Sequence, residues 1–396
     1  MPIKHHQLFL FTIIGLFSTP TFANFLDPID GQFDMGDYLA NNAYGFMPIP
    51  ILITEPAVGV GGGFLGMFLH ESEKDKQDRK AHALSSPDGG AQLLAPAITV
   101  AGGAVTDNGT WMALVAHRHT WNDDSIRYLG GMGYGHANID VFRRAPENWP
   151  IDASLKMSTA SEGFLLKQHV EFRLPNTQLF LGVSQSVSTF STSINSASVD
   201  LSGHIIDIPN ISPSLQSTVS SLGVIAELDT RNNLFFPTKG ASIVAEYMIY
   251  DEALGSDYNY HTLDVDAFKY VPVNDSLTLG FAGSYSSLKT EEAFLPPLSN
   301  PYINMRGVAA YKYQGNEVST LQAQAMWHMT SRWTLTGFYG VGSAAEESEA
   351  LYESTVSAYG AGFRYNIARR YGLNVGMDYA ISEGEGTLYF QVGTGF

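Results

Sequence analysis

From Trp333 to its end the chain repeats one pattern four times, in runs of about ten residues where alternate side chains are apolar and the rest small or polar. Trp333, Leu335, Gly337, Tyr339 and Val341 oppose Thr334, Thr336, Phe338, Gly340 and Gly342. Tyr359, Ala361, Phe363, Tyr365 and Ile367 oppose Ala358, Gly360, Gly362, Arg364 and Asn366. Leu373, Val375, Met377, Tyr379 and Ile381 oppose Asn374, Gly376, Asp378, Ala380 and Ser382. Leu388, Phe390, Val392, Thr394 and Phe396 oppose Tyr389, Gln391, Gly393 and Gly395. Period two is the signature of a strand with two different faces. A soluble sandwich would carry many Lys and Glu outside, whereas here the polar face is Gly, Ser, Thr, Asn and Gln with isolated carboxylates. That suits a hydrated interior, with the apolar face toward lipid. Only 15% of residues are charged, against about 25% in soluble proteins, yet the mean hydropathy is −0.03. The chain avoids charge without being uniformly apolar. Only helices and closed barrels satisfy their backbone groups in hydrocarbon, and beyond residue 23 no apolar run is long enough for a spanning helix. The predicted fold is all-β, a transmembrane antiparallel barrel.

Further strands are predicted at about 59–69, 95–105, 111–121, 125–142, 163–174, 178–190, 221–229, 241–250, 260–271, 277–288 and 318–329. Pro48 to Thr54 supplies a sixteenth, its prolines confining it to an edge. An even count suits a single-chain barrel with both ends on one side. Asp229 to Lys239, Val273 to Ser276, Thr330 to Arg332 and Ala368 to Tyr371 read as short turns. Residues 251–258, 289–304 and 344–355 read as longer external loops. The polar stretches 70–92, 143–162 and 191–218 carry no signal of side.

The first residues read as an export signal, with Lys4, His5 and His6 before the apolar run Leu8 to Phe17. Thr21-Phe22-Ala23 then predicts cleavage before Asn24. The expected organisation is signal peptide 1–23, short periplasmic lead segment 24–47 and outer-membrane barrel 48–396. There is no cysteine, hence no disulfide and no thiolate chemistry. A formal charge of −17 argues against a nucleic-acid partner.

Three motifs go further. Leu228-Asp229-Thr230-Arg231-Asn232-Asn233-Leu234-Phe235-Phe236-Pro237-Thr238-Lys239-Gly240 joins two strands, Met305-Arg306-Gly307-Val308 lies late in a long loop, and the last strand pair ends in Phe396. In this order the chain resembles the barrel of the BamA/TamA superfamily, or bacterial surface antigen family, best over residues 220–396. Tyr258 to Pro272 is similar to the family's strand before the long loop, and five strands follow Arg306, as in the sixteen-stranded family barrel. The resemblance implies Gram-negative outer-membrane localisation and a loop folded into the lumen, with Arg306 and Gly307 at its tip and Asp378 as the wall carboxylate. It also implies a periplasmic turn motif of Asp229, Arg231, Pro237 and Gly240, and a C-terminal assembly signal at Phe396. Family members usually have Val or Ile before the arginine and an aromatic after the glycine, so Met305 and Val308 predict a less tightly packed loop. Insertases of the family carry periplasmic POTRA modules, and residues 24–47 are too few for one. The chain resembles a member reduced to its barrel.

Other chemistry is weak. Gly61, Gly63 and Gly66 match a dinucleotide fingerprint only on paper, with no strand–helix context. His117 and His119 share a strand face but lack a third metal ligand, and His136 with Asn138 has no nucleophilic serine. No catalytic residue, metal or cofactor is expected. Glu227, Asp229, Glu246, Asp264 and Asp266 are expected on the lumen face, either favouring cations or pairing with plug and loop residues. The expected function is assistance of insertion or translocation without POTRA modules; the alternative is a pore-forming or structural barrel. Outer-membrane lipid and the barrel assembly machinery are expected partners, with a second copy or a periplasmic partner left open.

Overall fold

The computed structural model describes residues 25–27, 30–36, 46–70, 97–122, 124–144, 153–201, 204–209, 214–233, 235–292, 295–296, 298–369, 372–393 and 396. The signal-peptide reading therefore lies outside the described residues. The strands are β1 (Phe46–Ile53), β2 (Gly61–His70), β3 (Ala97–Thr106), β4 (Trp111–Trp121), β5 (Ile126–Arg144), β6 (Ala153–Arg173), β7 (Leu179–Leu201), β8 (His204–Pro209) and β9 (Ser214–Asp229). They continue with β10 (Gly240–Tyr250), β11 (Tyr260–Asn274), β12 (Leu277–Thr290), β13 (Glu317–His328), β14 (Trp333–Ala345), β15 (Val356–Ala368), β16 (Leu373–Ser382) and β17 (Glu385–Val392).

All pairings are antiparallel, each strand with the next, except that β7 holds both β8 and β9. The pattern continues from β10 to β17. Setting aside β8, sixteen strands form a nearly closed wall, and each overlaps one of the sixteen segments predicted above. Among the described residues no ladder joins β1 to β17. A hydrogen bond from Thr54 Oγ1 to the Leu388 carbonyl bridges that seam.

One expectation about the connections needs correction. Residues 143–162 and 191–218 are largely strand, because β5, β6 and β7 run to 19, 21 and 23 residues and project past the rim with β8. Leu155, Met157, Val199, Ile206 and Ile208 keep the two-residue alternation there. The intervening Ser, Thr and Asp give the stretches a loop-like composition.

Large apolar side chains outside the wall, including Val224, Phe281, Leu321, Leu335, Tyr339 and Tyr359, are exposed on many strands. So extensive an apolar surface belongs in hydrocarbon. The lumen differs between its two halves. On β13–β17 it presents Thr320, Gln324, Thr336, Arg364, Asn374 and Asp378, all buried. On β1–β6 the register places Ile49, Ile51, Leu65, Met67, Ile98, Val100, Met112, Leu114, Leu129 and Leu165 on the face that carries Arg118 and Arg127. Arg127 bridges the lumen to Glu227 on β9, which fixes that face as the inner one.

Candidate functional site: a loop pinned inside the barrel

The connection from β12 to β13 returns into the lumen. Its arms are tied by a hydrogen bond from Ile303 N to Tyr313 O, 2.9 Å, and the Tyr302 and Tyr311 rings lie 4.1 Å apart. At the tip Val308 N donates to Met305 O at 3.0 Å. Gly307 has φ +92, and a Cβ there would sit 3.2 Å from Ala380 Cβ and 3.3 Å from Ala358 Cβ. Both the left-handed backbone and the close wall favour glycine. Its N–H donates to the Tyr389 hydroxyl at 2.9 Å.

Met305 and Val308 do not loosen the loop. With Ile303 they bury against Val318, Val356 and Ala358. Glycines on the inner face of β14 make the room: a Cβ on Gly340 would overlap Met305 Sδ, and one on Gly342 would lie 2.7 Å from Ile303 Cγ2. An unbranched thioether fills such an irregular gap well.

Arg306 reaches Asp378 through Nη1 at 2.6 Å and Gln324 Oε1 through Nη2 at 2.9 Å, with its guanidinium 3.7 Å from the centre of the Phe338 ring. Asp378 is held equally by Arg364, whose Nη1 and Nη2 donate to its two oxygens at 2.6 and 2.8 Å. Asp378 and Arg364 are both 0% exposed. Two guanidiniums thus share one carboxylate. The Phe338 ring and Gln324 supply part of the missing compensation for the second cation. Arg364 Nε also donates to Gly393 O at 3.0 Å, tying the site to the end of β17. Sequence reasoning missed Arg364. Asp378 lies opposite Gly362 and diagonal to Arg364, so the bare Gly362 site opens the path between them. The register shifts by one between Asn366 and Ala368, so counting back from the turn would have set Asp378 opposite Phe363 and hidden that diagonal.

The turn between β9 and β10 brings its motif together. Arg231 lies on Asp229 (Nη2 to Oδ2, 2.7 Å), and Asn232 Oδ1 accepts from Thr238 N and Lys239 N, both at 3.0 Å. Gly240 has φ +105, and a Cβ there would overlap the Thr230 carbonyl oxygen. Asn233 Oδ1 accepts from Phe235 N and Phe236 N at 2.7 and 2.8 Å, ahead of Pro237. Phe236 packs with Tyr270 and Met326, and Phe396 joins that cluster. Phe396 therefore leaves the outward row that the alternation gave it. β17 ends at Val392, Gly393 takes φ +93, and the Phe396 ring lies inside, 6.2 Å from Tyr270 and 5.5 Å from the Arg306 guanidinium. The loop tip, the turn motif and the last residue thus meet in one place.

A second ion cluster went unread in the sequence. Arg332, in the turn between β13 and β14, is fully buried beneath the lead segment. It donates to Asp27 (2.5 Å), Asp30 (2.6 Å) and Asp34, and to the Asn366 carbonyl (3.0 Å). Met35 N continues the docking onto Ile367 O at 2.7 Å. Asp27, Asp30 and Asp34 lie some three hundred positions from Arg332, and no local motif in either segment announces the contact.

The remaining candidates separate. Glu227 pairs with Arg127 at 2.7 Å, Glu246 with Lys167, and Asp264 accepts from Ser286 at 2.7 Å. Asp266 has no ion pair among the described residues. His117 and His119 share the outer face with His70, Thr99 and Trp121. No group of three metal-ligating side chains occurs among the described residues. His136 meets Asn138 at 3.2 Å and Glu162 at 3.6 Å, also on the outside.

A nearly closed sixteen-stranded wall with an apolar belt, a polar inner face on one half and an inward loop defines an outer-membrane β-barrel protein. The profile of the Omp85 superfamily domain matches residues 134–395. The chain belongs to the Omp85 superfamily. Its fold is similar to that of BamA from Haemophilus ducreyi lacking POTRA domains 1–3, with a TM-score of 0.53 and 10% identity over 89% of this chain and 70% of that one. It is also similar to CdiB from Escherichia coli (TM-score 0.53, 10% identity, 88% of this chain and 62% of that one). CdiB from Acinetobacter baumannii gives a TM-score of 0.51 at 8% identity, over 88% of this chain and 59% of that one. The chain thus spans about three-fifths of either CdiB. No curated protein matches it.

Proposed function

We propose that the barrel inserts or translocates polypeptides at the outer membrane by yielding at the seam between β1 and β17, while the inward loop keeps the lumen shut. The observation that carries this reading is the seam itself. Among the described residues it is bridged by a side-chain hydrogen bond where every other neighbouring pair of the wall has a ladder, and the inward loop spans it. Ala310 N donates to Glu55 Oε1 just after β1 at 3.0 Å, and Lys312 Nζ meets Glu383 in the β16–β17 turn at 2.7 Å. An unpaired strand edge is a template for another strand. Arg306, Gly307 and Asp378 act here as the latch of the loop, and the Asp229–Gly240 turn faces the periplasm. Outer-membrane lipid, the assembly machinery and a periplasmic partner or second copy are the partners this role calls for.

Because the chain has no cysteine, the substitutions Thr54→Cys and Leu388→Cys allow the seam to be locked selectively. Reconstituted in vesicles, the protein is expected to accelerate folding of a urea-denatured small barrel. Oxidising the cysteine pair should stop this and reductant restore it. No acceleration, together with a steady conductance indifferent to Arg306→Ala, would instead make the protein a plain pore.

A further inference from the structure

A cavity of about 690 Å³ opens in the lumen between the inner faces of β4–β6 and β9–β11. One side is largely apolar, with Met112, Leu114, Leu129 and Leu165, and carries Lys167 and His169 of β6 at its edge. Met112, Leu129 and Leu165 are 46%, 42% and 44% exposed although they point inward, so these side chains line open space. The other side carries Glu246, Asp264 and Asp266. The lumen of a membrane barrel is ordinarily polar throughout, so an apolar wall facing three carboxylates calls for an occupant.

We propose that this cavity binds a cationic amphiphile, an ammonium group on an apolar body, with the body against β4–β6 and the ammonium among the carboxylates of β9–β11.

Three observations select that chemistry. Lys167 is the single lysine or arginine lining the cavity among the described residues, with one histidine, His169, beside it, and it is already paired with Glu246. Among the described residues Asp264 accepts a hydrogen bond from the Ser286 hydroxyl and neither it nor Asp266 has an ion pair. Glu246 is itself 7% exposed, and its Oε1 is buried without a hydrogen-bond partner. A buried carboxylate oxygen without a donor is costly, and an arriving N–H would relieve it. Charge excludes an anionic ligand, and the apolar wall is wasted on a bare metal ion or a polyamine. The volume falls within the range of small-molecule sites, roughly 300–1,000 Å³. A single primary ammonium can donate to Glu246 and lie between Asp264 and Asp266, while a ring or alkyl body displaces water from Leu129 and Leu165.

Dansylcadaverine, an aromatic body on a primary alkylammonium, is a suitable probe, with its N-acetylated neutral form as control. Titrated into the protein in phospholipid nanodiscs, the charged probe should give a saturable blue shift that empty nanodiscs do not show. The acetylated form should bind at least about tenfold more weakly, and Asp264→Asn with Asp266→Asn should weaken the charged probe by a similar factor. Folding of the variant is checked by heat-modifiable gel migration. Should the double variant fail that check, the charged and acetylated probes on the unaltered protein decide alone. Absence of a saturable signal, equal binding of both probes, or a folded variant that binds as the parent does would each overturn the site.

Discussion

On β13–β17 the lumen is filled. Loop residues 303–308 enter it, glycines on β14 make way, and two guanidiniums converge on one buried carboxylate. On β1–β5 the same inner surface is largely aliphatic apart from Arg118 and Arg127, and with Leu165 of β6 part of it stands open on a cavity. The halves share strand geometry and an apolar exterior, so the difference comes from what each inner face must satisfy. Buried charges hold their partners to one arrangement, because any movement leaves an ion uncompensated. Aliphatic side chains impose no such condition and tolerate rearrangement with small changes in energy. The seam lies where these regimes meet, with rigid β17 on one side and β1 on the other. An opening there would be accommodated by the aliphatic half.

Asp378→Asn is the sharpest way to break this contrast. It removes the carboxylate on which Arg306 and Arg364 converge, and breaking a buried pair in this way costs about 3–5 kcal/mol. The temperature of the heat-modifiable gel shift should fall accordingly, and the loop should become susceptible to protease at Lys312. Asp266→Asn, on the open side of the lumen, should change stability by less than about 0.5 kcal/mol. Equal losses from the two substitutions would mean that the halves do not differ as described.

How much of this was legible depended on how local each signal was. The outward rows of β14–β16 could be read directly, because period two needs only the sequence of one strand. The same rule put Asp378 on the inner face. Arg364 was visible on its own inner face too, but its approach to Asp378 depends on register and on Gly362, which belong to a strand pair. Arg332 joins segments some three hundred positions apart, and no single-strand pattern carries that. Phe396 was misplaced because the alternation was extended through Gly393, whose positive φ ends the strand. The long projecting strands were hidden by their serines, which suit a polar strand face as well as a loop.

The lead segment sharpens the comparison at the turn end. Its docking rests on charge, like the latch, but its carboxylates can swing out to water when the cation is lost. Arg332→Leu should therefore cost less than Asp378→Asn, about 1–3 kcal/mol. It should free the segment, seen as faster motion of a spin label on Gln32→Cys. The Asp30 carboxyl is held below the usual carboxylate range, first by its hydrogen bond to the Arg332 guanidinium. A carboxylate with a depressed pKa adds stability above its unfolded value and loses it as pH falls through the folded one. The label should thus stay immobile from neutral pH down to about 4, the ordinary aspartate value, and loosen only in more acid solution. Release already at pH 6 would contradict the ion cluster.

The last pair of substitutions tests whether space, as well as charge, separates the halves. Gly340→Ala places a methyl group on Met305 Sδ, with Gln322 Cγ at 3.0 Å on the other side. The thioether must leave its pocket among Val318 and Val356, so overpacking should cost about 1–3 kcal/mol. Gly133→Ala, on the inner face of β5, meets only Ala113 O at 3.3 Å and Leu114 Cβ at 3.7 Å. A shift of a few tenths of an ångström relieves that contact, so the change should stay within about 0.5 kcal/mol. Thermal gel-shift midpoints of the two variants measured side by side give the comparison, and single-channel recording adds a second readout. Gly340→Ala should raise conductance by displacing the loop tip, whereas Gly133→Ala should leave it unchanged. If both variants unfold together and conduct alike, the packed loop is not what distinguishes β13–β17 from the aliphatic half.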